Sequence, residues 1–249
     1  MTLLMQASVG KTESCPFPFV IATGDTRSIY RRFYYDTFEF GDEIIDSHDD
    51  SNDKVARITN NVLISSGGTS EVSDALRGFI EERTKDHYFL DDFKPIMNEA
   101  YKYVRENSDK VINHLLDTDH FYVSLVGFFK NGSPGRLQLA LGGEVNSTEV
   151  PSGLVAYNLF APSDDISKRQ DELMNFGNSP FLYLLNEGGN DVDVYVQHLL
   201  FVHSLIASQE VETISGTCLV HLLQRSDEKI HYEYYEIDLT ERIKEIQNM

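Results

Sequence analysis

The chain has 249 residues, enough to bury a sizeable core, and 41% of them are hydrophobic and 11% aromatic, the values of an ordinary globular protein. A formal net charge of −19 argues against a nucleic-acid surface, which needs clustered Lys and Arg, and against an anionic membrane surface. Cys15 and Cys218 are too few and too far apart for a disulfide framework or a metal site, and no run approaches the roughly 18 apolar residues of a membrane span. The expectation is a cytoplasmic protein with no cofactor, no metal, no nucleic-acid partner and no membrane.

Leu3 to Ala7 is a short apolar run, and Phe19-Val20-Ile21-Ala22 is another. The turn residues Gly10, Pro16 and Pro18 lie between them, so the pair reads as a hairpin with a long connection. Asp25-Thr26-Arg27 follows. Residues 28–40 are aromatic and β-prone, whereas 42–53 hold six acids and read as an exposed loop. A strand is expected within 55–65, strongest at Val62-Leu63-Ile64. After Gly67-Gly68, Thr69 is placed to cap a helix on which Val72, Leu76, Phe79 and Ile80 recur at helical spacing. A second helix is predicted over about 91–106, with Phe93, Ile96, Met97, Ala100, Tyr103 and Val104 on one side.

Phe121 to Phe129 is a nearly continuous apolar strand. Residues 132–135 turn it back onto Leu137 to Leu141, and 154–159 add a further strand. Helical patterns cover 179–186 and 192–208. Strands over 217–223 and 230–237 follow, and a short charged helix begins at Thr240. Runs of strands alternating with runs of helices predict an α+β fold, with mainly antiparallel sheets and helices packed outside. Nothing resembles a linker, so residues 1–249 read as one domain.

Three local patterns have ordinary readings. Asp46, His48, Asp49, Asp50 and Asp53 lack the glycine and spacing of a calcium loop and read as a solvated segment. His198 and His203, five apart on an apolar helix, fall on different faces, which suits a core or interface role better than a metal. Ser8-Val9-Gly10-Lys11-Thr12 lacks the first glycine of a phosphate loop and reads as the hairpin turn.

Thr2 is the residue with the most chemical potential. Removal of Met1 would give it both a hydroxyl nucleophile and a free α-amine, whose pKa of about 7.7–8.0 suits a base at neutral pH. Further motifs stand at fixed intervals behind it. Val20-Ile21-Ala22-Thr23-Gly24-Asp25-Thr26-Arg27 ends the second strand. Lys54-Val55-Ala56-Arg57-Ile58 opens another, and Ser66-Gly67-Gly68-Thr69 follows, with Gly68 fourteen residues after Lys54. Asn178-Ser179-Pro180-Phe181-Leu182-Tyr183 and Ile214-Ser215-Gly216-Thr217 come late in the chain. In this order the motifs resemble those of proteasome β subunits, members of the N-terminal nucleophile hydrolase superfamily, from Thr2 to about Asp238. Taken without the resemblance, Asp25, Arg27 and Lys54 are ordinary charges of an exposed turn.

The resemblance implies a four-layer αββα sandwich and an N-terminal-threonine peptidase in a self-compartmentalising assembly. Its partners would be peptide or unfolded-protein substrates and further copies of the chain in a ring. It assigns Thr2 as nucleophile and base. Lys54 is the positive charge that lowers the cost of the alkoxide, and Asp25 is the partner of Lys54. The Gly68 N–H is the oxyanion donor, and Glu212 and Ser215 are supports for the threonine. Two positions depart from the family: Glu212 stands where it has an aspartate, and Gly177 where it has a serine. The alternative is a catalytically silent structural or interaction subunit. The helices expected over 69–83 and 91–106, which carry Phe79, Phe93 and Tyr103, are the candidate ring contacts.

Overall fold

The computed structural model describes residues 2–13, 15–32, 44–51, 53–118, 121–161, 163–187, 189–210, 213–227 and 229–249. In chain order, β1 (Leu4–Val9) and β2 (Phe19–Asp25) form the antiparallel hairpin, in register from Leu4↔Gly24 to Val9↔Phe19. β3 (Ser28–Arg32) and β4 (Ile44–Asp49) make a separate two-stranded ladder. β5 (Val55–Arg57) and β6 (Val62–Gly68) lead into α1 (Ser70–Glu82), α2 (Leu90–Asn107) and α3 (Lys110–Asp117). Next come β7 (Phe121–Phe128), β8 (Pro134–Leu139), β9 (Val145–Glu149) and β10 (Val155–Phe160). α4 (Asp164–Lys168), α5 (Gln170–Leu173) and α6 (Asp191–Gln209) precede β11 (Thr217–Arg225), β12 (Ile230–Asp238) and α7 (Thr240–Gln247).

Two five-stranded sheets result, ordered β10-β1-β2-β11-β12 and β5-β6-β7-β8-β9, with every neighbouring pair antiparallel. The period-2 alternation of β1 shows how they stack. Leu3, Met5, Ala7 and Val9 face α6, where they join Leu199, Val202 and Ile206 in one apolar cluster. Leu4 faces the other way and packs with Val20, Ala22, Val55, Leu63, Val126 and Phe128 between the sheets. A third cluster lies outside the second sheet, where Ile64 meets Leu76, Ile80, Phe93 and Met97 of α1 and α2. The fold is therefore an αββα sandwich. β1 is covered on both faces, so all six of its residues are buried, including the polar Gln6 and Ser8 on the inter-sheet side.

The space between the sheets also holds polar groups. Gln6 donates to Ser65 Oγ at 3.0 Å, and its Oε1 accepts from Tyr122 Oη at 3.2 Å and Ser124 Oγ at 3.0 Å. Four residues from three strands thus satisfy one another, which removes most of the cost of burying them. At the start of α6, Asn190 and Asp193 cap each other reciprocally, side chain to backbone N–H, at 3.2 and 3.0 Å.

Several expectations need correction. The acidic stretch expected as loop contains β4, whose Ile44 and Ile45 pair with β3 opposite Arg32 and Arg31. Residues 33–43, which carry the rest of the aromatic and acidic stretches, lie outside the described residues. The helix expected over 179–186 is two short 3₁₀ turns, Phe176–Asn178 and Leu182–Leu185. Pro180 lies between them and cannot donate to a continuous helix. α3, α4, α5 and β9 have no counterpart among the expected elements. On the two helices named as candidate ring contacts, Phe79 and Phe93 are buried against the second sheet, and Tyr103 is half exposed with its ring on Phe79. Among the described residues no helix is long and apolar enough to cross a membrane.

His198, His203 and His221 are all buried, and burial holds each imidazole below its ordinary value. The second ring nitrogen of each has no hydrogen-bond partner among the described residues. The unfolded chain takes up protons at about pH 6.5, where the folded chain refuses them. Stability is thus fully present above that pH and is lost as pH falls through the lowered folded values. Urea unfolding between pH 7.5 and 5 is expected to show a declining midpoint, with a shallower decline in His203→Gln.

Candidate functional site

The site forms where the ends of β1, β2, β5 and β6 meet. Thr2 lies two residues before β1 and is buried, 4% exposed. By the same alternation that sends Leu4 toward the second sheet, Thr2 points between the sheets. There it lies against Gly67 of β6: a methyl group on Gly67 would stand 2.8 Å from Thr2 Cγ2 and 3.2 Å from Thr2 Cβ. A side chain at position 67 would occupy the place of Thr2.

Asp25 ends β2 and is fully buried. Its Oδ1 accepts the backbone N–H of Leu3 at 2.8 Å, and its Oδ2 accepts that of Arg27 at 3.0 Å. Lys54, just before β5, brings its ammonium to 3.0 Å from Oδ1 and 3.1 Å from Oδ2, and also donates to the Arg27 carbonyl. One carboxylate oxygen therefore bridges the Lys54 ammonium and the peptide nitrogen that follows Thr2. The lysine sits within two hydrogen-bond lengths of the Thr2–Leu3 peptide.

The electrostatics follow from burial. The Lys54 side chain is 7% exposed and that of Asp25 is 0% exposed. Desolvation pushes the Lys54 amine below its ordinary value, and the charge and hydrogen bonds of Asp25 act against that shift. Behind the sheet, burial first and the Asp25 carboxylate second push the Cys218 thiol up. Next door, Arg27 makes a two-pronged pair with Asp50 at 2.7 and 2.8 Å, partly exposed and of small energetic weight.

Gly68 ends β6 with φ +88°, a conformation that favours glycine, and it is exposed. Ser66 of the same strand donates its N–H to the Lys54 carbonyl at 2.9 Å. Alternation turns the Gly68 N–H to that same edge, beyond the end of β5. Ser215 lies before β11 and reaches Thr26 rather than Thr2. Its Oγ accepts the Thr26 N–H at 3.1 Å, lies 3.0 Å from Thr26 Oγ1 and donates to the Thr217 carbonyl at 2.9 Å. Glu212 lies outside the described residues. Gly177 donates its N–H to Asn175 Oδ1 within a 3₁₀ turn.

Asp25 and Lys54 thus meet at the Leu3 N–H next to Thr2, Gly68 follows the glycine that Thr2 lies against, and Ser215 is one residue removed through Thr26. Sequence reading missed Gly67, Thr26 and His203, whose Nε2 lies 3.2 Å from the Ser215 carbonyl. Only the doubled glycine hinted at the first of these. Among the described residues no group of three or more His, Cys, Asp and Glu side chains could hold a metal ion. A cavity of about 330 Å³ beside α2, lined by residues including Tyr101, Lys102 and Gly143, shares no residue with this site.

No family model matches the chain, and no curated protein matches it. Solved structures do. An Anbu (Gly-1) mutant from Hyphomicrobium sp. strain MC1 has a TM-score of 0.62 at 11% identity, over 100% of this chain and 92% of that one. The helical assembly of the Anbu complex from Pseudomonas aeruginosa has a TM-score of 0.62 at 12% identity, over 99% of this chain and 91% of that one. At such identity the likeness is one of fold.

Two substitutions probe the geometry. Gly67→Ala is expected to displace Thr2 and destabilise the chain by about 1–3 kcal/mol, the usual effect of overpacking. Asp25→Ala leaves the Lys54 ammonium buried without its partner and is expected to cost roughly 3–5 kcal/mol. Denaturant unfolding at pH 7.5 measures both.

Proposed function

We propose that the chain is a subunit of a proteasome-like assembly that hydrolyses peptide amide bonds with Thr2, once cleavage of the preceding bond frees the Thr2 α-amine. In this reading the amine takes the hydroxyl proton as Oγ1 attacks the substrate carbonyl. The resulting oxyanion is met by the Gly68 N–H. Collapse expels the leaving amine, which takes up the proton, and leaves an ester on Thr2. Water, deprotonated by the same amine, then hydrolyses that ester. Lys54 supplies the positive charge that favours the alkoxide, and Asp25 keeps the lysine charged and oriented. Ser215 acts through Thr26 on the corner after Asp25, and Glu212 remains the proposed support of the amine.

The observation that carries this reading is the buried Lys54–Asp25 pair tied to the Leu3 N–H. Burying two charges costs several kcal/mol before they attract each other. A sheet end needs no such pair to be stable, whereas a threonine alkoxide does need a nearby cation. The helical assembly of the Pseudomonas aeruginosa Anbu complex supports an oligomer of this chain as well. Residues 1–249 would act as one domain within it, and the two free thiols, Cys15 and Cys218, suit a reducing cytoplasm.

A second reading, a silent structural or interaction subunit, is favoured by one specific observation. The Ser215 hydroxyl is engaged by Thr26 and Thr217 instead of by the threonine amine. Protein with Met1 removed, verified by intact mass, should react with an electrophile selective for N-terminal threonine and turn over fluorogenic peptides. Thr2→Ala should abolish turnover, and Lys54→Ala should lower it by about 10²–10³, the scale of losing one charge-stabilising group. Light scattering should show the same oligomer for all three. Processed protein that neither labels nor cleaves any peptide, yet assembles, would establish the silent subunit.

A further inference from the structure

Lys54 reaches Asp25 from a backbone position outside both sheets, one residue before β5 begins. What fixes that backbone is a side chain of another layer. Arg77, on α1, sends Nη1 to the carbonyl of Asp53 at 2.8 Å, and the same nitrogen lies 3.5 Å from Ser66 Oγ on β6. Its Nε donates to Glu81 Oε1 at 2.7 Å, one helical turn further along α1. The glutamate orients the guanidinium, so Nη1 points across the strand ends rather than into solvent. The Arg77 side chain is only 19% exposed, unlike most surface helix pairs.

The contacts around Lys54 are contiguous. The Asp53 carboxylate accepts the Val55 N–H at 3.2 Å, while the Asp53 carbonyl is held by Arg77. The Lys54 carbonyl accepts the Ser66 N–H. Lys54 is thereby bracketed by a fixed residue on each side, and Ser66 stands two residues before Gly68. We propose that Arg77 is a positioning residue: by holding the Asp53 carbonyl beside Ser66, it sets the strand ends from which the Lys54 ammonium and the Gly68 N–H are presented to Thr2. Its consequence for turnover rests on the peptidase reading, and its consequence for Lys54 does not. A planar donor with two separate N–H directions is required, one for Glu81 and one for Asp53. Lysine can keep the Asp53 contact alone, and glutamine is too short to reach both.

The test compares wild type, Arg77→Lys, Arg77→Gln and Arg77→Ala in the full chain. Acetic anhydride is the probe, with peptide mass spectrometry reporting acetylation of Lys54 against Lys11 and Lys102 as references. Loss of the guanidinium should raise Lys54 acetylation by about ten-fold or more while the references stay unchanged, the effect of one lost charge-assisted hydrogen bond on local opening. Arg77→Lys, which keeps the Asp53 contact without the Glu81 contact that orients it, should restore only part of the protection. Where turnover is measurable, Arg77→Gln should lower kcat by about ten-fold with KM within about two-fold, as expected for a group acting only on the reacting geometry. Should Arg77→Ala fail to fold by circular dichroism, Arg77→Gln decides by the same criterion. Lys54 acetylation within about two-fold of wild type in the folded variant overturns the inference, whether or not the protein cleaves peptides. Absence of turnover in wild type with Lys54 deprotected in the variant overturns only the peptidase reading.

Discussion

The Asp25 carboxylate has no contact with water, and the local structure is arranged around that fact. A buried carboxylate must be met by donors on both oxygens. Here the donors are the Leu3 N–H, the Arg27 N–H and the Lys54 ammonium. Each comes from a different piece of chain, so satisfying one side chain fixes the start of β1, the corner after β2 and the approach to β5 together. A neutral residue in place of Asp25 would leave the ammonium unpaired and the Leu3 N–H without its side-chain acceptor. The stack of two sheets supplies the low dielectric that makes these bonds strong, and the bonds in turn hold the mouth of the stack closed around Thr2.

That stacking explains which parts of the fold were legible in the sequence. Long segments with one apolar face could be read directly: α1, α2, α6, β7 and β11 lie where the periodicity puts them. Short elements could not. β9 presents mostly exposed residues, and α3, α4 and α5 span eight, five and four residues, too few for a helical period to emerge. The acids around β4 concealed a strand whose only apolar signal is Ile44-Ile45. Tertiary pairing with β3, not local propensity, makes that strand.

The candidate site came from the resemblance rather than from local pattern. Taken alone, Asp25 and Lys54 read as ordinary charges of an exposed turn, and only the stacking of the strand ends buries them. What could not be read was which hydroxyl Ser215 would hold. The hydroxyl it meets, that of Thr26, is 189 positions away and depends on β11 pairing with β2, where Cys218 faces Asp25 in register. A change of one residue in that register would turn Ser215 away from Thr26 altogether. Gly67 was invisible as a contact for the same reason, since its relation to Thr2 exists only between sheets.

The coupling from α6 to the strand ends is a continuous path of bonds. His203 is fully buried on α6 and bonds the Ser215 carbonyl. Ser215 holds the Thr26 N–H, and Thr26 follows the carboxylate that holds Lys54. Burial favours the neutral form of His203, while the Asp25 charge works in the opposite direction and the Lys54 charge works with burial. The neutral imidazole must therefore carry its proton on Nε2, because the carbonyl offers only an acceptor, and this leaves the unpartnered Nδ1 facing apolar surroundings. An apolar residue would satisfy that space at lower cost but could not donate to Ser215. The histidine is thus explained by the corner it supports: the helix layer contributes one directed hydrogen bond to the site, and the packing around α6 determines where that bond points.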